Sequence, residues 1–208
     1  MRILLSGVLL LLSTAVGAQT LLVLGDSISA AHGIDKNEGW VALLEKRLDK
    51  ECPDWRVKNA SVSGETSAGG AVRLEGLLER NDIYAVIIEL GGNDGLRGLP
   101  PKQLRGNLNR MIRMSREEDA KVGLLGIRIP PNYGAAYTKM IEDSFSAVAE
   151  ENGVPFVPRL LEGVAGRDDW MQDDGIHPTA EAQPRLLANA WPVVRELLAC
   201  VEAGAPSG

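Results

Sequence analysis

The sequence predicts one α/β domain in which helices cover both faces of a central five-stranded parallel sheet. Short apolar runs rich in Val, Ile and Leu alternate with longer segments that have helical periodicity. Strands that are apolar along their whole length are typical of parallel sheets buried on both faces. These two observations predict a single-domain three-layer α/β/α sandwich.

The strand and helix candidates follow one another along the chain. The strand candidates span residues 21–25, 57–60, 85–90, 122–127 and 154–157. The helix candidates span residues 40–50, 71–79, 103–115, 137–151 and 183–201, and Pro192 is expected to kink the last one. Parallel sheets bind ligands beyond the carboxyl ends of their strands. We therefore expect functional residues in the loops that follow the strands.

Residues 1–18 have the layout of a secretory signal peptide. Arg2 precedes an apolar stretch, and Val16 and Ala18 come just before the expected cleavage after Ala18. The apolar stretch is shorter than the ~20 residues that a membrane span needs, so stable membrane insertion is not expected. The sequence thus predicts a mature domain of residues 19–208, located in the periplasm or secreted further to the outside of the cell.

The net charge and the cysteines indicate which binding partners, disulfides and metal sites to expect. The chain has a formal net charge of −6, and removal of Arg2 makes the mature domain more negative, which disfavours nucleic acid as a partner. Cys52 and Cys200 are the two cysteines, and either one disulfide or two buried thiols would fit an exported chain. The sequence contains no CxxC motif or Cys/His cluster, so no metal site is expected.

Four polar loops follow predicted strands and should meet at one edge of the sheet. They are GDSIS at 25–29, SVSGET at 61–66, GGNDG at 91–95 and, after the fifth strand, WMQDDGIHPT at 170–179. Taken singly, each is also typical of an ordinary turn or a helix cap. Their common position after the strands indicates a shared site.

Ser27 is the candidate nucleophile, with His177 as its base and Asp174 as the group that orients His177. A serine hydroxyl needs a base within hydrogen-bond reach, most often an imidazole held by a carboxylate. Asp174 and His177 are three residues apart around a glycine, so one loop can present both side chains. His32, the other histidine, is interpreted as a solvated loop or helix residue outside the site.

Acyl transfer also requires donors for the oxyanion that forms on the acyl carbonyl. The candidates are the backbone N–H of Ser27, the backbone N–H of Gly64 and the side-chain amide of Asn93. Gly64 lets its backbone approach a substrate closely, and a neutral amide donates where a carboxylate would repel an oxyanion. Together with Ser27, His177 and Asp174, these groups form a template for serine hydrolysis.

These blocks resemble the signature motifs of the SGNH (GDSL-type) hydrolases. GDSIS, SGET, GGND and DGIHP carry the Ser, Gly, Asn and His from which that family takes its initials. The longer strings ELGGNDGLRG, IRIPPNYG and WMQDDGIHP extend the likeness over essentially the whole mature chain. The resemblance implies a flavodoxin-like fold and cleavage of acyl thioesters such as acyl-CoA, of lysophospholipids and of aryl esters, without a cofactor or metal.

The resemblance also places an acyl crevice between the stretches 95–101 and 129–137. The substrate-binding residues expected from it are Asp94, Leu96, Leu99, Ile129 and Tyr133. Two other functions stay open at this point. One is deacetylation of a carbohydrate by the same machinery, and the other is a non-catalytic flavodoxin-like module that binds a ligand such as FMN. The absence of a glycine-rich phosphate loop disfavours the second, and the chain is expected to be a monomer.

Overall fold

A computed structural model describes residues 18–79, 82–198 and 200 of the chain. Its central sheet has five parallel strands in the order β2-β1-β3-β4-β5. The strands are β1 (Gln19–Gly25), β2 (Trp55–Asn59), β3 (Ile83–Glu89), β4 (Lys121–Leu125) and β5 (Phe156–Val157). This order is that of the flavodoxin-like fold, so the predicted architecture is confirmed. The predicted signal peptide lies outside the described residues except for Ala18.

Within the described residues, six α-helices surround the sheet. They are α1 (Trp40–Glu51), α2 (Ser67–Leu78), α3 (Gly92–Leu96), α4 (Pro101–Glu117), α5 (Ala135–Asn152) and α6 (Gln183–Leu197). Helix α1 packs against α6, whereas α4 packs against both α2 and α5, which gives two helical layers. None of the helices in the described part of the chain has the length and apolar composition that a membrane crossing requires.

The core lies on both faces of the two central strands. The side chains from Leu21 to Leu24 in β1 and from Ala85 to Ile88 in β3 are completely buried. Burial of a Leu, Ile or Val side chain stabilises a fold by about 1.5–3 kcal/mol. These strands are therefore rigid supports for the loops that leave their carboxyl ends.

Some element boundaries differ from the sequence-based expectation. Helix α2 begins at Ser67 instead of residue 71, because the Thr66 side chain caps it by accepting the Gly69 N–H at 3.3 Å. Strand β5 has only two residues, and α6 ends at Leu197 with Pro192 in its interior. The short helix α3 was not predicted, since GGND has the composition of a turn.

Cys52 and Cys200 form a disulfide. Cys52 caps the C-terminal end of α1, and Cys200 follows α6; their Cα atoms are 5.8 Å apart, and their sequence separation is 148. The bond thus links the end of α1 to the segment that follows α6. The structure thus decides between the paired and unpaired states that the sequence left open.

Candidate active site

The Gly-Asp-Ser loop forms a tight turn where β1 ends. The Asp26 side chain accepts the backbone N–H of Ile28 at 3.0 Å, which is an Asx turn that reverses the chain around Ser27. The Ala30 N–H then donates to the Asp26 carbonyl oxygen at 3.0 Å. As a result, Ser27 is half-buried and its hydroxyl faces the cleft beyond the sheet edge.

The structure brings Ser27, His177 and Asp174 into one hydrogen-bonded line. His177 Nε2 lies 2.8 Å from Ser27 Oγ, and His177 Nδ1 lies 2.6 Å from Asp174 Oδ2. The other carboxylate oxygen of Asp174 accepts the N–H groups of Ile176 and His177 at 2.9 and 3.0 Å. The carboxylate is thereby fixed by its own loop and holds the imidazole from behind.

The charge of Asp174 fixes the tautomer of His177. Partial burial acts to raise the pKa of Asp174, but hydrogen bonds from the His177 ring and from two backbone N–H groups lower it to about 2. The carboxylate is therefore ionised at neutral pH and accepts the Nδ1–H of the imidazole. His177 Nε2 then carries a lone pair and accepts the hydroxyl proton of Ser27.

Asn93 and Gly64 lie on the opposite side of Ser27. Asn93 Nδ2 donates one hydrogen to Asp26 Oδ2 at 3.0 Å, which orients the amide and leaves its second hydrogen for the cleft. Gly64 has φ of +80°, a conformation that favours glycine, and its carbonyl oxygen accepts from Arg97 Nη2 at 2.8 Å. Both residues line the same cavity as Ser27.

Two buried carboxyl groups, those of Asp26 and Glu89, support the loop that carries Ser27. Glu89, the last residue of β3, accepts the Asp26 N–H at 3.3 Å and the Ser29 hydroxyl at 2.7 Å. Burial raises the pKa of Asp26 to about 6, although hydrogen bonds from Ile28 and Asn93 act against it. Burial, together with the nearby Asp26 charge, raises the pKa of Glu89 well above its usual value. Of the two carboxyl groups, Glu89 is thus the one that burial and the Asp26 charge together favour in the protonated form.

A cavity of about 820 Å³ opens next to Ser27. Of the five predicted substrate-binding residues, Leu96 and Ile129 line it. Its wall also includes residues from the segment 159–166 after β5, which sequence reasoning did not select. The apolar or small residues of this wall include Leu161, Gly163, Ala165 and Gly166. The only sequence signal for them is a run of apolar and glycine residues in a loop expected to be polar.

Asp94, Leu99 and Tyr133 are not among the residues that line this cavity. Asp94 is buried and accepts the backbone N–H of Ser67 at 2.8 Å and the Ser67 hydroxyl. The Leu99 carbonyl oxygen accepts the hydroxyl of Tyr137 at 2.8 Å, and the Tyr133 hydroxyl donates to the Leu96 carbonyl oxygen at 2.9 Å. These residues therefore make hydrogen bonds within and around their loops, and the prediction that they line the acyl-binding cavity is not confirmed.

His32 is an exposed loop residue, as interpreted from the sequence, but it lies at the site, which that interpretation had not expected. Its ring centroid is 4.4 Å from that of His177, and it lines the cavity. Sequence reasoning missed it because no carboxylate at a characteristic spacing accompanies it. In the described part of the chain, no group of three or more His, Cys, Asp or Glu side chains is placed to hold a metal ion.

The sequence matches known proteins over most of its length. Residues 23–184 match the model of the GDSL-like lipase/acylhydrolase family. Esterase TesA of Pseudomonas aeruginosa is 56% identical over 198 residues, which are 94% of this chain and 98% of that protein. An arylesterase of Vibrio mimicus is 44% identical over 80% of this chain and 84% of its own. Thioesterase 1/protease 1/lysophospholipase L1 of Escherichia coli is 42% identical over 84% and 83%.

Solved structures of esterases are also similar to this chain. A crystal structure of TesA, 57% identical, superposes with a TM-score of 0.84 over 86% of this chain and all of that one. The psychrotrophic esterase EstA from Pseudoalteromonas sp., inhibited by monoethylphosphonate, is 42% identical, with a TM-score of 0.81 over 85% and 97% of the two chains. The chain therefore belongs to the GDSL-like lipase/acylhydrolase family and is an ester-hydrolysing enzyme.

Proposed function

We propose that this protein hydrolyses carboxylic esters and acyl thioesters of medium and long acyl chains. In this proposal Ser27 is the nucleophile, His177 the general base and Asp174 the group that orients His177. Ser27 N–H, Gly64 N–H and the Asn93 amide form the oxyanion hole. The observation that carries the proposal is the hydrogen-bonded line from Asp174 through His177 to Ser27 Oγ, which ends at the large cavity.

The first half of the reaction forms an acyl-enzyme. Ser27 Oγ attacks the acyl carbonyl carbon while its proton passes to His177 Nε2, and the carbonyl oxygen becomes an oxyanion. Three N–H groups stabilise that oxyanion, and Asp174 stabilises the imidazolium. The bond to the leaving oxygen or sulfur then breaks, and His177 Nε2 returns the proton to the leaving group.

The second half of the reaction regenerates the enzyme. A water molecule attacks the acyl carbon, and its proton passes to His177 Nε2. The bond between the acyl carbon and Ser27 Oγ then breaks, and the proton on Nε2 passes to Oγ. The products are a free carboxylic acid and the unmodified enzyme, and the residues described here supply every proton transfer.

The size and the lining of the cavity support medium and long acyl chains as the proposed substrates. A volume of about 820 Å³ is far larger than an acetyl group needs. Much of its lining is aliphatic, including Leu96, Ile129 and Leu161. Burial of each methylene of an acyl chain contributes about 0.8 kcal/mol, so longer chains should bind more tightly until the cavity is full.

The proposed substrate classes follow from the relatives' names. Those names include arylesterase, thioesterase and lysophospholipase. We extend them to this chain as aryl esters, acyl-CoA thioesters and lysophospholipids. A carbohydrate acetylesterase would use the same machinery, but the aliphatic part of the lining suits an acyl chain better than the hydroxyl groups of a sugar.

The test is hydrolysis of p-nitrophenyl esters from acetyl to palmitoyl by wild type and Ser27→Ala. We expect turnover to peak at medium or long chains and to fall in the variant by about 10⁴-fold or more. Activity confined to acetyl would replace the acyl-esterase proposal by the deacetylase one. Activity that survives in Ser27→Ala would overturn the assignment of the nucleophile.

We also propose export to the periplasm with removal of residues 1–18. The layout of the first residues supports it, and so does the Cys52–Cys200 disulfide, because disulfides persist in oxidising compartments. The intact mass of the protein isolated from the periplasmic fraction should correspond to a chain that begins at Gln19. Recovery from the culture medium would place it outside the cell, and an uncut cytoplasmic chain would refute export.

A further inference from the structure

We propose that His32 is a positioning residue that holds the His177 ring in the orientation that its hydrogen bond with Ser27 requires. The inference rests on the proposed function, because it assumes that His177 is the general base. Four features of the structure support it: the ring contact, the backbone around His32, a bridge between the two histidine loops, and the contact with the oxyanion loop.

The two imidazole rings are in direct contact. Their centroids are 4.4 Å apart and their planes are inclined by 43°. Both ring nitrogens of His177 already form hydrogen bonds, Nδ1 with Asp174 and Nε2 with Ser27. Both bonds lie in the plane of the ring, so they do little to prevent the ring from tilting out of that plane. His32 covers one face of the ring and restricts rotation out of that plane.

The backbone around His32 is held in conformations that are uncommon. Ala31 has φ of +57° and Gly33 has φ of +78°. A non-glycine residue with positive φ costs roughly 1–2 kcal/mol and persists only when other contacts enforce it. The His32 N–H also donates to the Ser27 carbonyl oxygen at 3.1 Å. The turn that presents Ser27 therefore also sets the direction of the His32 side chain.

Gln172 connects the loops that carry the two histidines. Its side-chain amide donates to the carbonyl oxygens of His32 at 2.8 Å and of Pro178 at 3.0 Å. Its backbone N–H donates to the carbonyl oxygen of His177 at 2.8 Å. Gln172 thus fixes the backbone near both histidines, and these hydrogen bonds support the contact between the two rings.

On its other side, His32 reaches the loop that carries Gly64. Its Nδ1 lies 3.4 Å from the hydroxyl of Ser63. His32 therefore lies between the base and the oxyanion loop, on the wall of the cavity.

Variants of His32 test whether its ring positions His177. We would compare wild type, His32→Ala, His32→Phe and the distant surface variant Lys50→Gln. His32→Ala removes the ring that contacts His177, whereas His32→Phe keeps an aromatic ring at that position. Thermal unfolding curves verify that each variant folds, and Lys50→Gln should match wild type in kcat and KM.

Steady-state kinetics on p-nitrophenyl butyrate provide the readout. In His32→Phe, kcat should stay close to that of wild type, because an aromatic ring still contacts His177. In His32→Ala, which removes the ring, kcat should fall by about tenfold, and by a larger factor than any rise in KM, because a misplaced base slows the chemical step. An unchanged kcat in His32→Ala would refute the positioning role.

The failure of this inference is distinguishable from failure of the proposed function. If His177→Ala retained wild-type kcat, the general-base assignment itself would be wrong. If His177→Ala were inactive while both His32 variants had the wild-type kcat, only the role of His32 would be refuted.

Discussion

Asn93 Nδ2 lies 3.0 Å from Asp26 Oδ2, so a buried carboxylate orients the amide that we propose as an oxyanion donor. The two residues are 67 positions apart, at the ends of the neighbouring strands β1 and β3. Asp26 also turns the chain at Ser27 through its bond to Ile28. One side chain thus sets the positions of both the proposed nucleophile and a proposed oxyanion donor.

Replacement of Asn93 by Ala should lower kcat by about 10²–10³-fold, because a donor to the oxyanion is lost only in the transition state. KM should change much less. Steady-state kinetics on p-nitrophenyl butyrate measure both parameters, and a thermal unfolding curve verifies that the variant folds. An unchanged kcat in the folded variant would remove Asn93 from the oxyanion hole.

Glu89→Gln should make the protein more stable relative to wild type as the pH rises. Burial, together with the Asp26 charge, raises the pKa of Glu89 well above its usual value of 4.5, so folded Glu89 retains a proton that the unfolded chain releases. The wild type therefore loses stability from about pH 4.5 upward until the pH passes the raised pKa, whereas glutamine does not titrate. The difference should grow by at most about 1.4 kcal/mol per pH unit.

Urea unfolding at pH 5 and pH 8 measures this difference in the free energy of unfolding. The surface variant Glu45→Gln is the matched control and should follow the wild type. Parallel pH dependences for wild type and Glu89→Gln would show that Glu89 is not the group that takes up the proton.

Reduction of the Cys52–Cys200 disulfide should destabilise the protein by about 2–5 kcal/mol, since the bond restricts a long loop of the unfolded chain. Thermal unfolding with and without dithiothreitol measures the effect as a lower Tm. The double variant Cys52→Ser/Cys200→Ser should have the low Tm in both conditions. A Tm that is insensitive to reductant in the wild type would contradict the pairing.

Ala165→Phe should shift the preference toward shorter acyl chains. Ala165 lines the cavity, and the added ring would occupy space that a long chain needs. We expect the ratio of kcat/KM for palmitoyl to that for butyryl esters to fall by about tenfold, which is about two lost methylene contacts. Val72→Phe, on an exposed surface of α2, is the control. An equal ratio in Ala165→Phe and wild type would place the acyl chain elsewhere.

The sequence predicted the fold class because the signals for it are local. Apolar runs identify buried parallel strands, and helical periodicity identifies the covering helices, without knowledge of distant contacts. The same patterns placed the loops of Ser27, Gly64, Asn93 and His177 at one sheet edge, and the structure brings all four to one cavity. The start of α2 was not predicted because it depends on one capping side chain. Helix α3 was not predicted because its sequence has the composition of a turn.

By itself the sequence determined the layered architecture, the parallel sheet and the four loops, because each of these follows from residues that are close along the chain. Only the tertiary structure decided that His32 contacts His177, that Asp26 orients Asn93, that Cys52 pairs with Cys200, and that segment 159–166 lines the cavity. Each of these is a contact between residues distant in sequence. Such contacts depend on strand order, on the direction in which each loop turns and on side-chain packing, which no local pattern encodes.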